Sequence, residues 1–275
     1  MDRRSRHGGI RTRSAGGFAF GCLCLLAGVG AAACGASASS TTSTAPGVDA
    51  SPLARIRASV GVTEAAGTAH LVTAATVRQV AGPSPAGVLR TTGTGDVRFA
   101  GPDIEMVTTA VPPTRPSTLS TRVLRIGDSV YEGSPTGDRW THSNVLAGNV
   151  NYLGAVTPTL LADANGPVTV VGTSTVDGRP AVEYAMPVPG GTSSPPVSGR
   201  VQEYVTVAPF VAHVWLDGAG RIVRTSASLS TTFTPAPGGS GTAPASSSNT
   251  STQTVTLSDF GEPLHLSRPP ASVPG

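Results

Sequence analysis

Three turn signals fix the kind of fold open to this chain. Gly127-Asp128, Asp177-Gly178 and Asp217-Gly218-Ala219-Gly220 each stand between two runs whose apolar residues recur at alternate positions. Glycine beside aspartate accepts the positive-φ turn that joins antiparallel strands tightly, so this punctuation predicts β-hairpins. Ser120–Ile126 with Ser129–Glu132 makes the first hairpin, and its register sets Leu124 beside Tyr131. Val168–Val176 with Arg179–Met186 makes the second and sets Val171 opposite Tyr184; Val211–Leu216 with Arg221–Phe233 makes the third. Alternation also marks Thr68–Arg78, Val88–Thr92, Gly95–Ala100, Ile104–Ala110 and a closing Thr252–Leu257. Ser51-Pro52 and Thr157-Pro158 place a capping hydroxyl before a proline, the signature of a helix start. The first helix runs to about Thr63 with Leu53, Ile56 and Val60 as its stripe; the second closes near Gly166. About ten strands and two or three short helices give an antiparallel α+β fold, whose sheet needs a cover on its apolar face.

The N-terminus belongs to a different regime. Arg3, Arg4, Arg6, Arg11 and Arg13 precede a charge-free apolar run, Phe18 to Ala33, which ends in Ala31-Ala32-Ala33 before Cys34-Gly35. Basic flank, apolar core and small-residue exit are the parts of a secretory signal peptide, residues 1–33. The run is shorter than the roughly 20 residues of a membrane-spanning helix. Cys22 and Cys24 lie inside it as small hydrophobes. Cys34, at its exit, resembles the lipidated cysteine of a bacterial lipobox. That resemblance implies a diacylglyceryl group on its thiol, with palmitate-type chains holding the protein at the outer face of the cell membrane. Two acyl chains suffice for stable anchoring. Ordinary cleavage leaving a free N-terminus is the alternative.

Removal of the signal changes the charge argument. All 19 basic residues of the chain are arginine, and 14 of them follow Cys34, against 15 acids. The basic balance thus resides in the signal peptide, and nothing in the rest points to nucleic acid. No thiol follows Cys34, so the mature chain has no disulfide of its own and no cysteine-based metal site. Residues 34–50 read as an Ala/Ser/Thr-rich tether and 51–275 as a single domain. Within that domain, Pro/Gly/Ser-rich stretches near 187–199 and 235–251 read as long disordered loops.

In order along the chain, several elements resemble one family. They are Arg125-Ile126-Gly127-Asp128-Ser129-Val130-Tyr131 with Trp140, Val176-Asp177-Gly178 leading to Tyr184, Val214-Trp215-Leu216-Asp217 with Gly220-Arg221, and Val255 through Gly261. Behind a lipobox, this order resembles the LppX/LprG-type lipoproteins of actinobacteria, relatives in fold of the LolA carriers and RseB sensors. The resemblance implies a curved antiparallel half-barrel whose concave face is covered by helices around an apolar cavity for acyl chains. By alternation, the candidates for that cavity are Leu71, Val97, Phe99, Ile104, Met106, Leu124, Ile126, Tyr131, Val171, Tyr184, Met186, Val214 and Leu216. The same side chains could equally fill a solid core.

Catalytic signatures are sparse. The absence of lysine excludes P-loop, Ser-x-x-Lys and Schiff-base chemistry. Gly127-Asp128-Ser129 echoes a lipase block but falls in a hairpin turn, and no Gly-x-Ser-x-Gly elbow occurs. His70, His142, His213 and His265 lack metal-ligand spacing. The sequence therefore predicts a non-enzymatic, extracytoplasmic lipoprotein, without cofactor or metal, that binds and carries or presents a lipid or acylated glycolipid. The alternative is a sensor or scaffold that binds an envelope protein, as RseB does. An enzyme would instead show a histidine within hydrogen-bond reach of a serine or carboxylate in a cleft.

Overall fold

The computed structural model describes residues 50–81, 87–101, 103–113, 117–127, 129–137, 139–144, 153–193, 196–197, 200–201, 203–235, 246–269 and 272–274. The segment expected to be a signal peptide, Cys34 and nearly all of the expected tether lie outside them. Helix α1, Pro52–Glu64, precedes the strands β1 (Thr68–Ala81), β2 (Val88–Arg98), β3 (Asp103–Val111), β4 (Leu119–Ile126), β5 (Ser129–Gly133) and β6 (Trp140–Asn144). Helix α2, Pro158–Ala162, leads into β7 (Thr169–Val176), β8 (Arg179–Val188), β9 (Gly191–Ser193), β10 (Pro196–Val197), β11 (Arg200–Val201) and β12 (Glu203–Val207). The chain closes with β13 (Phe210–Asp217), β14 (Ile222–Pro235), β15 (Ser247–Ser258) and β16 (Ser272–Pro274).

Fourteen strands form one open sheet in the order β16-β6-β5-β4-β3-β2-β1-β15-β14-β13-β8-β7, with β12 and β9 branching from β14; β10 and β11 make a separate ribbon. Pairing is antiparallel except between β16 and β6. The sheet exceeds the ten or so strands expected, because β9, β12 and β16 carry too few alternating residues to stand out in sequence. Strands also enter both stretches read as loops: β8 continues to Val188, β9 follows, and β15 begins at Ser247. Strand β14 is a fork. Its first half pairs with β13 at Ile222–Ala227, and its second half pairs with β12 at Thr231–Pro235.

Both helices begin as their sequences dictate. The Ser51 hydroxyl accepts from Ala54 N and the Thr157 hydroxyl from Leu160 N, with proline following each cap. Ile56, Val60 and Leu161 then join Leu153 and Val156 in one core with Ala69, Leu71, Val97, Val255 and Leu257, on the face of the sheet here termed inner. The Arg57 guanidinium donates to the Ala164 carbonyl at 2.6 Å and ties α1 to the segment after α2.

A single hydroxyl fastens the far end of α1. Thr63 is fully buried; its Oγ1 donates to Ser59 O and accepts from Ile222 N at 2.8 Å, at the irregularity where β13 meets β14. Thr63→Val removes that acceptor while keeping the volume, and a buried N–H without a partner costs about 2 kcal/mol. A urea melt should show a loss of that order with an unchanged m-value.

Strand β2 runs unbroken where the sequence suggested a break at Gly93-Thr94. Its glycines are steric rather than punctuating. A Cβ on Gly95 would lie 2.0 Å from Glu105 O and 2.6 Å from Met106 Cα, both backbone atoms of the adjoining strand. Glycine in a strand marks such close approach. Gly95→Ala should therefore destabilise by roughly 2–3 kcal/mol, the range for overpacking. Gly172→Ala, where a Cβ meets nothing within 4 Å, should leave the thermal midpoint within a degree or two of wild type.

Candidate functional site

Register assigns every strand residue to one of two faces, and it divides the sequence-derived candidates. Leu71 pairs with Gly95 and Leu257, Val97 with Ile104, Gly95 with Met106, and Val214 with Tyr184 and Thr225. Leu71, Val97, Phe99, Met106, Tyr184, Met186, Val214 and Leu216 are all buried in the helix-covered core, with Ile104 packed against it. Across β3 and β4, however, Met106 pairs with Val123 and Glu105 with Leu124. Leu124, Ile126 and Tyr131 therefore lie on the opposite, outer face. There they pack with Trp140 and with Leu266 of the C-terminal segment. Leu124 does pair with Tyr131, as the hairpin predicted. Val171 is corrected outright: a register irregularity between Val170 and Gly172 sets Val170, not Val171, opposite Tyr184, and Val171 is 54% exposed.

The placed inner candidates are buried in one cluster with residues of both helices. Leu153 and Val156 press onto the same face, and the Leu153 carbonyl accepts from Thr225 Oγ1 at 2.9 Å. The continuous core reaches no further than Leu71 on β1, Met106 on β3, Ala227 on β14 and Val255 on β15. The strands do not stop there. With 14 residues in β1 and in β14, each spans about 46 Å at 3.3 Å per residue. Helix α1, with 13 residues, is only about 20 Å long and 10 Å thick.

From Ala227, at the edge of the helix-covered core, the inner face continues in three rungs. Ala75, Gln253 and Ala227 make the first, Val77, Ser251 and Leu229 the second, and Gln79, Asn249 and Thr231 the third. Leu89 lies beside Val77, while Val207 and Val205 extend the face past Thr231 and Phe233. Val77, Leu89, Leu229, Phe233, Val205 and Val207 are each half-buried. Gln253, Ser251 and Thr231 are buried. This surface is the candidate site. Alternation through Thr73, Ala75 and Val77 pointed to its β1 part. Its β15 part lay hidden in a Ser/Thr/Asn run that resembles a linker.

The outer face is built for water. Serine and threonine hydroxyls bridge adjacent strands there, as in Ser226–Thr254 and Ser228–Thr252, both at 3.2 Å. Two histidines form cross-strand pairs on it: His70 Nδ1 lies 2.9 Å from Asp96 Oδ1, and His213 Nδ1 lies 2.8 Å from Glu183 Oε1. His70 Nε2 is also 3.1 Å from Thr94 Oγ1, a hydroxyl–imidazole–carboxylate relay that the sequence set as the mark of an enzyme. Its surroundings oppose acyl transfer. The adjoining open depression, of about 270 Å³, is lined by Thr68, Ala69, His70, Leu264 and three acidic residues, Asp96, Asp259 and Glu262, and not by Thr94. Carboxylates disfavour the negative charge that develops on the carbonyl oxygen. No cluster of three or more His, Cys, Asp or Glu able to hold a metal occurs among the described residues.

No protein-family model matches the chain, and no curated protein does. Solved structures similar to it include two mycobacterial lipoproteins. One is lipoprotein LppX from Mycobacterium tuberculosis, with 20% identity and a TM-score of 0.44 over 78% of this chain and 98% of that one. The other is LprF from Mycobacterium bovis, with 13% identity and a TM-score of 0.46 over 79% and 96%. A LolA superfamily protein from Nitrosomonas europaea has 10% identity and a TM-score of 0.23 over 75% and 94%. Among the described residues no helix is long and apolar enough to cross a membrane.

Proposed function

We propose that this chain is an exported, non-enzymatic lipoprotein, held at the outer face of the cell membrane by acyl chains on Cys34. There it binds a lipid or acylated glycolipid along the uncovered half of its inner face and carries or presents it. One observation carries the binding reading. Among the described residues the helices cover one end of the inner face, and the strands continue past them with Val77, Leu89, Leu229, Phe233, Val205 and Val207 half-buried. An acyl chain laid there gains roughly 0.8 kcal/mol for each methylene removed from water. The site is thus a shelf above a packed base, not a chamber within it.

Native mass spectrometry of the protein purified from membranes tests this reading. The wild type should retain a lipid that organic extraction removes. Val77→Arg combined with Leu229→Arg should reduce that lipid at least tenfold, whereas Val111→Arg, on the outer face, should not. A bare protein mass after incubation with envelope lipids would refute binding. Cys34→Ala should move the protein from the membrane pellet to the soluble fraction; persistence in the pellet would refute the anchor.

A further inference from the structure

The two edges of the sheet are finished differently. Along β6 the chain lays its own strand β16 in parallel, and that strand carries Pro274. Strand β7 ends the other side, hydrogen-bonded only to β8 among the described residues. The chain on either side of it is described without a gap from 153 to 193, and Thr169 through Thr175 are all exposed. An open edge presents a row of unpaired N–H and C=O groups, which proteins commonly blunt with charge or proline. Thr169-Val170-Val171-Gly172-Thr173-Ser174-Thr175-Val176 contains neither. Six of its eight residues are β-branched, which suits them to a further strand partner.

Register tells which of its backbone groups are free. Asp177 and Gly178 have φ of 48° and 75°, as the two central residues of a type I′ hairpin turn. Val176 and Arg179 close that turn as a hydrogen-bonded pair, and the two kinds of pair alternate from there. Gly172 and Ser174 thus turn their N–H and C=O groups toward β8, while Thr173 and Thr175 turn theirs toward the open edge. Thr175 stands opposite Pro180, which has no N–H to give. The irregularity between Val170 and Gly172 limits the regular edge to Gly172–Val176. We propose that β7 pairs with β7 of a second copy of this chain, antiparallel about a two-fold axis through Ser174. That register is the one centred on the regular edge: Ser174 meets Ser174, and each Thr173 exchanges two hydrogen bonds with the partner's Thr175. A two-fold contact sets a surface against itself, so any charge on it meets its like; β7 has none. The same neutrality leaves a charged segment of another protein without a complement. The two sheets then join into one, with both inner faces on the same side, whether or not those faces bind lipid. Gly172–Val176 is far shorter than the roughly 20–30 residues a side of a standard interface, so the pairing is weak and depends on concentration.

Cysteine crosslinking reads this register directly, because no thiol follows Cys34. In a non-hydrogen-bonded antiparallel pair the Cα atoms lie about 4.5 Å apart, within the span of a disulfide. Ser174→Cys in the full chain, oxidised mildly in intact cells, should give a crosslinked dimer at least fivefold above wild type, whose own cysteines set the background. Ser228→Cys, exposed on the interior strand β14, should stay at that background. Adding Thr175→Pro to Ser174→Cys should return the dimer to background. The Thr175 N–H pairs with nothing inside the sheet, so proline there removes a donor between copies and leaves the fold in place. Thr173→Lys, which sets like charges close together across the axis, should do the same and decides the matter if the proline variant fails to fold. Background crosslinking by Ser174→Cys, or crosslinking that survives the second substitution, would overturn the pairing. A crosslink to a different protein in place of the dimer would assign the edge to a foreign strand and equally overturn it.

Discussion

Strands of about 46 Å cannot be sealed by a helix about 20 Å long, and the rest of the molecule follows from that mismatch. Two short helical segments cover one end of the inner face and make a dense core with Leu71, Val97, Val214 and Leu257. Among the described residues, no helix covers the other end. At the fork in β14, β12 takes over as partner where β13 leaves off. Protein of one fold thus presents two surfaces: a base stabilised by burial, and a shelf whose half-buried Val77, Leu229 and Phe233 are stabilised less fully.

The abundance of threonine and serine in the strands has two separate physical roles. On the outer face their hydroxyls link neighbouring strands and face water, which suits a side that packs only locally, under Leu266 and Phe260. On the inner face Thr63 and Thr225 join helix and loop to sheet through buried hydrogen bonds. Hydroxyls are therefore structural at the base. The cross-strand pairs His70–Asp96 and His213–Glu183 fit the outer face in the same way, as partners directly opposite one another in the ladder.

Within a hairpin whose two strands are regular the sequence is a sound guide. The pairing of Leu124 with Tyr131, the caps Ser51 and Thr157, and the turns at Asp177-Gly178 and Asp217 through Gly220 all stand where alternation and turn chemistry put them. Errors begin between hairpins and where one strand of a hairpin is irregular. The phase of β4 relative to β3 depends on how the connection after Val111 is spent, and a shift of one residue exchanges the two faces. That is why Leu124, Ile126 and Tyr131 were grouped with Met106 yet lie behind the sheet from it. Val171 failed for a related reason, since one irregularity in β7 reverses the alternation beyond it.

The sequence by itself determined the signal-like N-terminus with Cys34 at its exit, the antiparallel character of the sheet and the positions of both helices, because caps, turns and alternation act over a few residues. It also determined that lysine-dependent chemistry is excluded, since the chain has no lysine. Only tertiary structure decided which face each strand turns inward and how far the helices reach. Those outcomes depend on register summed over many strands and on relative lengths of distant elements. Neither quantity is written in any local stretch of the chain.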